Sequence, residues 1–532
     1  LGGCIPKKRL TFDDKSILGM KKSFLPLLSL VLLFPLAVLA QRITYSEPDR
    51  DDPRAYNFEV LGKIGGKILV YKNYRDDHTL SVFDGDMKLL GKQKLNMPDR
   101  LINTDFLAYA NHFYLIYQFQ RKSIVYCMAV KLDSDGNLLS EPVQLDSTQE
   151  VTAVSSNKIY SVIQSEDKKK IMIFKINSHN DKMHVLTTCL FDQDLTLLKK
   201  SRVPVVMPQR NDFLAEFALD NAGDLICVRA SGTAQNDNIN KVSLVTKKAN
   251  EDVIYITDLA VKNIYLDDIH IKVDNLNKHY LITSFFSKLR RGNIEGIYYT
   301  LWDKSLDKEL LNAATYFTEE FKDDAKGENG IKAAFNDYFL KNIILRRDGG
   351  FIMVSESAFS SSRGNTLSRW DYLYGSPYWS PMDYYTWNSP MALGGVGYYP
   401  WGRNSAFFNN NNQTRYYAEN IAVISFDPKG TMEWSNIIRK TQYDDNTDNH
   451  IGFSMLNAGD QLNFIFNLQE KNQNVLTDQT VTPDGKINRN PTFKNLDKGY
   501  EFMPRLSKQI GLRQIIVPCM YRGYTCFAKI DY

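Results

Sequence analysis

The sequence predicts an all-β fold, a single β-propeller of eight blades, with seven as the alternative, closed by an N-terminal strand. Three observations predict it: hairpin turns that recur along the chain, a polar residue ahead of each repeated unit at blade-like spacing, and a last unit one strand short. The 532 residues are 43% hydrophobic and 24% charged, which is the composition of a globular protein. A repeat-built β fold reaches this length as one unit.

The first recurring element is a short polar turn followed by a β-branched or aromatic run. It occurs at Gly65-Gly66, Asn111-His112, Asn157-Lys158, Gly223-Asp224, Lys278-His279, Gly349-Gly350 and Gly459-Asp460. The second is an apolar residue followed by Asp and a turn, at Asp84, Asp133, Asp192 and Asp427. Gly and Asn supply positive φ, Asp caps the turn, and the flanking runs favour strands.

The polar residues ahead of each unit are Asn57, Asp105, Glu150, Asp212, Asp268, Asp337, Asn449 and Glu501. Their separations of 48, 45, 62, 56, 69, 112 and 52 residues fit four-stranded blades, which recur at about 40 to 50 residues. The last unit offers strands near 502–506, 514–519 and 524–530, and Arg42 to Tyr45 would supply its fourth. A pair of β-sandwiches is the rival fold and explains the eightfold recurrence less well. A helical turn or two is expected only within 318–334.

The N-terminal region reads as an address. Met20-Lys21-Lys22 precedes the uncharged run Phe24 to Ala40, with Val38 and Ala40 before Gln41. This pattern predicts a signal peptide over 20–40, an upstream extension over 1–19, and a propeller domain over 41–532. The expectation is export to the periplasm or beyond the cell, with no stable membrane insertion after cleavage. Residues 1–40 contribute six of the 65 basic and two of the 61 acidic side chains, so the remainder is charge-balanced. Balance without a basic run argues against nucleic acid.

Chemistry-bearing motifs are sparse. The seven histidines are scattered, and no H-E-x-x-H, G-x-S-x-G, phosphate loop or dinucleotide fingerprint occurs. No metal and no cofactor is expected. The run 444–450 begins like a calcium loop but places Asn449 at the glycine position and Met455 at the bidentate glutamate. Five cysteines follow residue 40, an odd count that is not a disulfide framework. Cys519 and Cys526 would face each other across a turn at Arg522-Gly523. A cross-strand disulfide and five buried free thiols both fit.

The 112-residue gap holds an aromatic insertion, 360–417, rich in Tyr, Trp, Ser, Gly and Asn. Four of the six tryptophans lie in it, and disordered segments are poor in aromatics. Rigid rings with adaptable small polar residues are the composition of contact loops. Trp370, Trp379, Tyr384, Tyr385, Trp387 and Trp401 are the candidate binding residues, for a glycan, peptide or protein partner. A packed lid that binds nothing is the other reading. Asp105, Asp212, Asp268, Asp337 and Asn449 are candidates for a channel mouth, where converging carboxylates could serve a glycoside hydrolase or lyase; turn chemistry repeated with the blade is the simpler reading of them. The readings are therefore a binding or scaffold protein, such an enzyme, or a structural envelope component.

On these repeats, residues 42–532 resemble the secreted bacterial β-propeller proteins with degenerate repeats. The Trp-Asp, Kelch and sialidase Asp-box signatures are missing. Phe426-Asp427-Pro428-Lys429-Gly430-Thr431-Met432-Glu433-Trp434 resembles one repeat of the quinoprotein-type propellers. The resemblance implies architecture and no particular activity.

Overall fold

A computed structural model of the chain describes residues 41–50, 58–74, 77–149, 158–180, 182–209, 211–232, 238–326, 333–362, 414–445, 448–470, 473–490 and 499–532. The chain divides into a compact unit, Ile43–Ile530, and a small one made of Leu1–Arg42 with Asp531–Tyr532. Among the described residues no helix is long and apolar enough to cross a membrane.

The chain is all-β. The described strands form seven antiparallel sheets, and along the sequence they fall into successive meanders of about four strands. The first meander runs from Phe58–Ile64 to Leu89–Leu95, the second from Leu101–Ala108 to Val143–Thr148, and the third from Ser161–Gln164 to Leu197–Val206. The fourth, Phe213–Leu219 to Tyr255–Leu259, and the fifth, His270–Asp274 to Lys308–Tyr316, share one nine-stranded sheet. The short strand Tyr265–Leu266 joins them, pairing with Ile239 on one side and Phe286 on the other. The sixth meander runs from Tyr338–Leu345 to Met432–Ile438 and the seventh from Phe453–Asn457 to Ile487–Arg489. In the last group, Tyr500–Phe502 and Lys508–Gly511 both pair with Gln514–Tyr521, which is followed by Tyr524–Asp531. Strand Arg42–Tyr45 pairs with Tyr524–Asp531. The α-helix Glu319–Ala325 is capped by Thr318, whose hydroxyl accepts from the Phe321 amide.

Burial follows strand position. The second strand of the second meander, His112–Arg121, is buried on both faces, because neighbouring sheets cover both sides and side chains alternate between them. Fourth strands are half exposed, as in Leu197–Val206. They carry the devices that blunt a sheet edge: Lys92, Lys94, Lys199 and Lys200, and Pro204 where no ladder donor is needed.

The Asp turns have a local cause. The Oδ1 atoms of Asp84, Asp133, Asp192 and Asp427 each accept from the amides two and four residues on, at 2.7–2.9 Å. A single carboxylate thus fixes the whole reversal. These turns also join meanders. A Cβ on Gly430, at φ +76°, would overlap the Tyr299 hydroxyl of the fifth meander. The next turn docks the same way, with Gly485 against the Trp434 indole, which donates to the Pro483 carbonyl at 3.1 Å.

Apolar cores lie between consecutive meanders. The first and second share Leu69, Leu80, Phe106 and Phe113; the second and third share Ile116, Cys127, Val162 and Ile173. Equivalent cores follow through the fourth, fifth, sixth and seventh. The seventh and last groups are tied by polar contacts, including Asn467 Nδ2 to the Phe502 carbonyl at 2.9 Å and Gln509 Nε2 to the Asn457 carbonyl at 2.9 Å. The last and first groups then share a core of their own, in which Ile516 and Phe527 pack with Val60, Ile68, Val70 and Phe83. The Phe527 ring meets Phe58 edge-on at 5.3 Å, and its amide donates to Ser46 Oγ at 3.0 Å.

Candidate functional site

Two features of the compact unit carry unusual chemistry: ionisable side chains on or beside the first strands of the meanders, and the hairpin that bears the long insertion.

On the fourth meander's first strand, a bulge between Ala215 and Ala218 places Glu216 at φ +58°. A non-glycine residue held there is strained by about 1–3 kcal/mol, and surrounding contacts must maintain it. Those contacts come from the fifth meander. His270 Nδ1 lies 3.2 Å from Glu216 Oε2, the Ile271 amide donates to the same oxygen at 3.3 Å, and His270 Nε2 lies 2.9 Å from Asp268 Oδ1. The second Asp268 oxygen accepts from the Leu340 amide of the sixth meander at 2.6 Å. Burial disfavours a charged imidazole, but the Asp268 and Glu216 carboxylates outweigh it and hold the His270 pKa well above its ordinary value. His270 is therefore an imidazolium clamped by two carboxylates, and the clamp spans three meanders.

On the last, first, second and third groups the arrangement is looser. Lys158 Nζ pairs with Asp105 Oδ1 at 2.8 Å, and Asn103 Nδ2 donates to the other Asp105 oxygen at 2.9 Å. Glu59 and Lys508 are partly buried and interact electrostatically with each other, and Glu59 also with Asp105 and Lys158. Desolvation dominates both: it pushes the Glu59 carboxyl up to about 7 and the Lys508 ammonium down. A carboxyl titrating near neutrality beside a weakened cation suits reversible, charge-dependent binding.

The sixth meander carries the insertion on an extended stem. Phe351–Ser362 and Thr414–Phe426 remain paired to Ser362 opposite Thr414, beyond the point where Gln442–Asp445 takes over as the neighbouring strand. The stem presents stacked rings: Phe359 on Tyr417 at 4.6 Å, and Tyr443 under the Arg415 guanidinium at 4.6 Å. Arg415 is also paired with Asp445 at 2.6 Å. At the stem's base the Ala358 amide donates to the Asp337 carbonyl at 2.9 Å. Behind it, Lys440 and Glu356 form a buried ion pair at 2.8 Å, and burial lowers the lysine's pKa.

Of the channel-mouth candidates, Asp105 lies within strand Leu101–Ala108 rather than ahead of it, since that strand starts earlier than the turn pattern indicates. Asp268 joins the histidine clamp. Asp212 Oδ2 accepts from the Gln209 amide at 2.9 Å, a turn role. Asp337 sits at the stem base, and Asn449 precedes Phe453–Asn457. The structure brings Asp105 toward Glu59 and Asp268 toward Glu216. Trp370, Trp379, Tyr384, Tyr385, Trp387 and Trp401 lie outside the described residues, as do Asn57 and Glu150. Sequence reasoning missed Glu59, Lys158, Glu216, His270 and Lys508. Their shared signal was an ionisable residue on, or just before, an otherwise apolar first strand. Among the described residues the five cysteines are buried free thiols. Among the described residues no cluster of His, Cys, Asp and Glu could hold a metal ion.

No family model and no curated protein matches the chain. Among solved structures it is similar to prolyl oligopeptidase B from Galerina marginata, at 12% identity and a TM-score of 0.38, over 90% of this chain and 55% of that one. It thus spans about half the length of that protein. A hypothetical selenium-binding protein from Sulfolobus tokodaii is similar at 8% identity and a TM-score of 0.34, over 74% of this chain and 82% of that one. The apocarotenoid oxygenase of Synechocystis is similar at 10% identity and a TM-score of 0.32, over 57% and 67%.

Proposed function

We propose that the chain is an exported binding or scaffold protein: an eight-bladed propeller, sealed by strand Arg42–Tyr45, whose aromatic insertion contacts a glycan, peptide or partner protein. The observation that carries this reading is the stem. A hairpin lengthened past its own meander, and braced by Tyr443 and the Arg415–Asp445 pair, is a mount for what lies at its tip. The tip sequence supplies the aromatic and small polar residues that contact surfaces use. The eight-bladed arrangement is supported by cores between consecutive meanders and by the core shared by the last and first groups. Closure leaves only protected sheet edges.

Binding is favoured over hydrolysis by how the carboxylates are used. A glycosidase needs two carboxyl groups free to act as acid and base or nucleophile. Here Asp268 and Glu216 grip His270 and Asp105 grips Lys158, which leaves Glu59 without a second free carboxyl beside it among these groups.

The test is deletion of residues 363–413. Ser362 and Thr414 are paired, so a two-residue Asn-Gly turn can close the hairpin. Glycan and peptide arrays should lose their capture of the protein while its far-UV circular dichroism and unfolding midpoint stay in place. Capture unchanged by the deletion rejects the reading.

A further inference from the structure

We propose that Cys519 and Cys526 are a redox pair whose oxidation to a disulfide staples the last hairpin where it meets the first meander. They lie on strands Gln514–Tyr521 and Tyr524–Asp531, joined by the two-residue turn Arg522-Gly523. Both turn residues have positive φ, 52° and 80°, the geometry of a tight type I′ hairpin. This turn sets the two cysteines opposite each other, and their sulfurs are 3.0 Å apart, about 1 Å beyond a bond of ~2.05 Å. Opposed residues in an antiparallel pair have Cα atoms about 4.5–5.5 Å apart, inside the range a disulfide spans.

The position matters because this hairpin holds the seam. Phe527, the neighbour of Cys526, packs on Phe58 and Phe83 of the first meander. Its carbonyl accepts from the Ser46 amide at 2.8 Å, and the Thr525 carbonyl accepts from the Asp49 amide at 2.9 Å. A bond between the two strands fixes the hairpin that makes these contacts.

The oxidant is a disulfide of the glutathione class. One cysteine thiolate attacks it, releasing a glutathione thiol and forming a mixed disulfide; the second cysteine then attacks that, releasing the other glutathione thiol. Each cysteine loses its proton, and the two electrons reduce the oxidant to two thiols. Both sulfurs are fully buried and burial pushes the Cys519 thiol up, so exchange takes place while the hairpin is open, during folding.

The experiment refolds the full chain in reduced and in oxidised glutathione buffers, traps free thiols after denaturation, and maps peptides without reduction. In the oxidised buffer a 519–526 linkage is expected, with Cys127, Cys189 and Cys227 free. The oxidised protein should have a higher unfolding midpoint than the reduced one. The double variant C519S/C526S should show no difference between buffers. Cys519 and Cys526 both free, lasting glutathione adducts on them, a linkage between Cys127 and Cys189 instead, or equal midpoints overturn the proposal.

Discussion

The histidine clamp and the Glu59–Lys508 neighbourhood both place charge on or beside early strands of their groups, yet they solve its burial differently. At the clamp, each nitrogen of His270 has a carboxylate, and Asp268 Oδ2 and Glu216 Oε2 each accept from a backbone amide. Beside Glu59, desolvation outweighs the nearby lysines and the carboxyl keeps its proton to about pH 7. A charge fully paired across elements ties those elements together. One short of partners stays free to respond to whatever binds beside it.

Between the two charged groups, the larger effect should come from opening the clamp. His270→Ala leaves two largely buried carboxylates facing each other without a cation, which costs about 3 kcal/mol. Urea denaturation should show a lower midpoint, and His270→Asn should recover only part of it. A loss under about 0.5 kcal/mol, the level of an ordinary surface substitution, would mean that the clamp is ornamental.

The pH dependence sharpens the contrast. Between its ordinary value of 4.5 and about 7, Glu59 keeps its proton in the folded chain while the unfolded chain releases it. The unfolded state binds fewer protons there, so stability falls as pH rises through that window. His270 adds a second fall that begins above 6.5, where the unfolded imidazole loses its charge and the folded one retains it. Glu59→Gln should flatten the first fall and leave the second. The variant should match the parent at pH 4 and exceed it by about 1–2 kcal/mol at pH 8. Identical pH profiles for variant and parent would remove Glu59 from the account.

The smallest effect belongs to a turn where water stands ready as the alternative partner. Asp84→Ala removes an acceptor from the Asp86 and Lys88 amides and should cost about 1 kcal/mol, measurable as a shift in thermal midpoint. Asp84→Asn should recover most of it, because an amide oxygen can still accept.

What the sequence revealed divides along the same line between local and distant. The Asp turns are self-contained within five residues, and their flanking runs announce strands, so the meanders and the last unit's missing strand are legible. The clamp is not, because its members come from separate meanders: Ile271 and Glu216 are 55 residues apart, and Leu340 and Asp268 are 72. A lone histidine ahead of an apolar run gives no sign that two carboxylates will reach it. Asp105 is legible as a polar residue of its unit but lies inside the strand instead of ahead of it, since Leu101–Ala108 extends upstream of the turn pattern. The merger of the fourth and fifth meanders rests on the two residues Tyr265 and Leu266, too few to leave a periodic signal.

Where the two ends of the repeat meet, Phe527 is the most telling residue. Phe527→Ala, followed by amide hydrogen exchange, tests this meeting directly. Protection should fall together in the last hairpin and in Lys67–Tyr74 of the first meander, with a stability loss of about 3–5 kcal/mol. Loss of protection confined to Gln514–Asp531, with Lys67–Tyr74 as slow as in the parent, would contradict it.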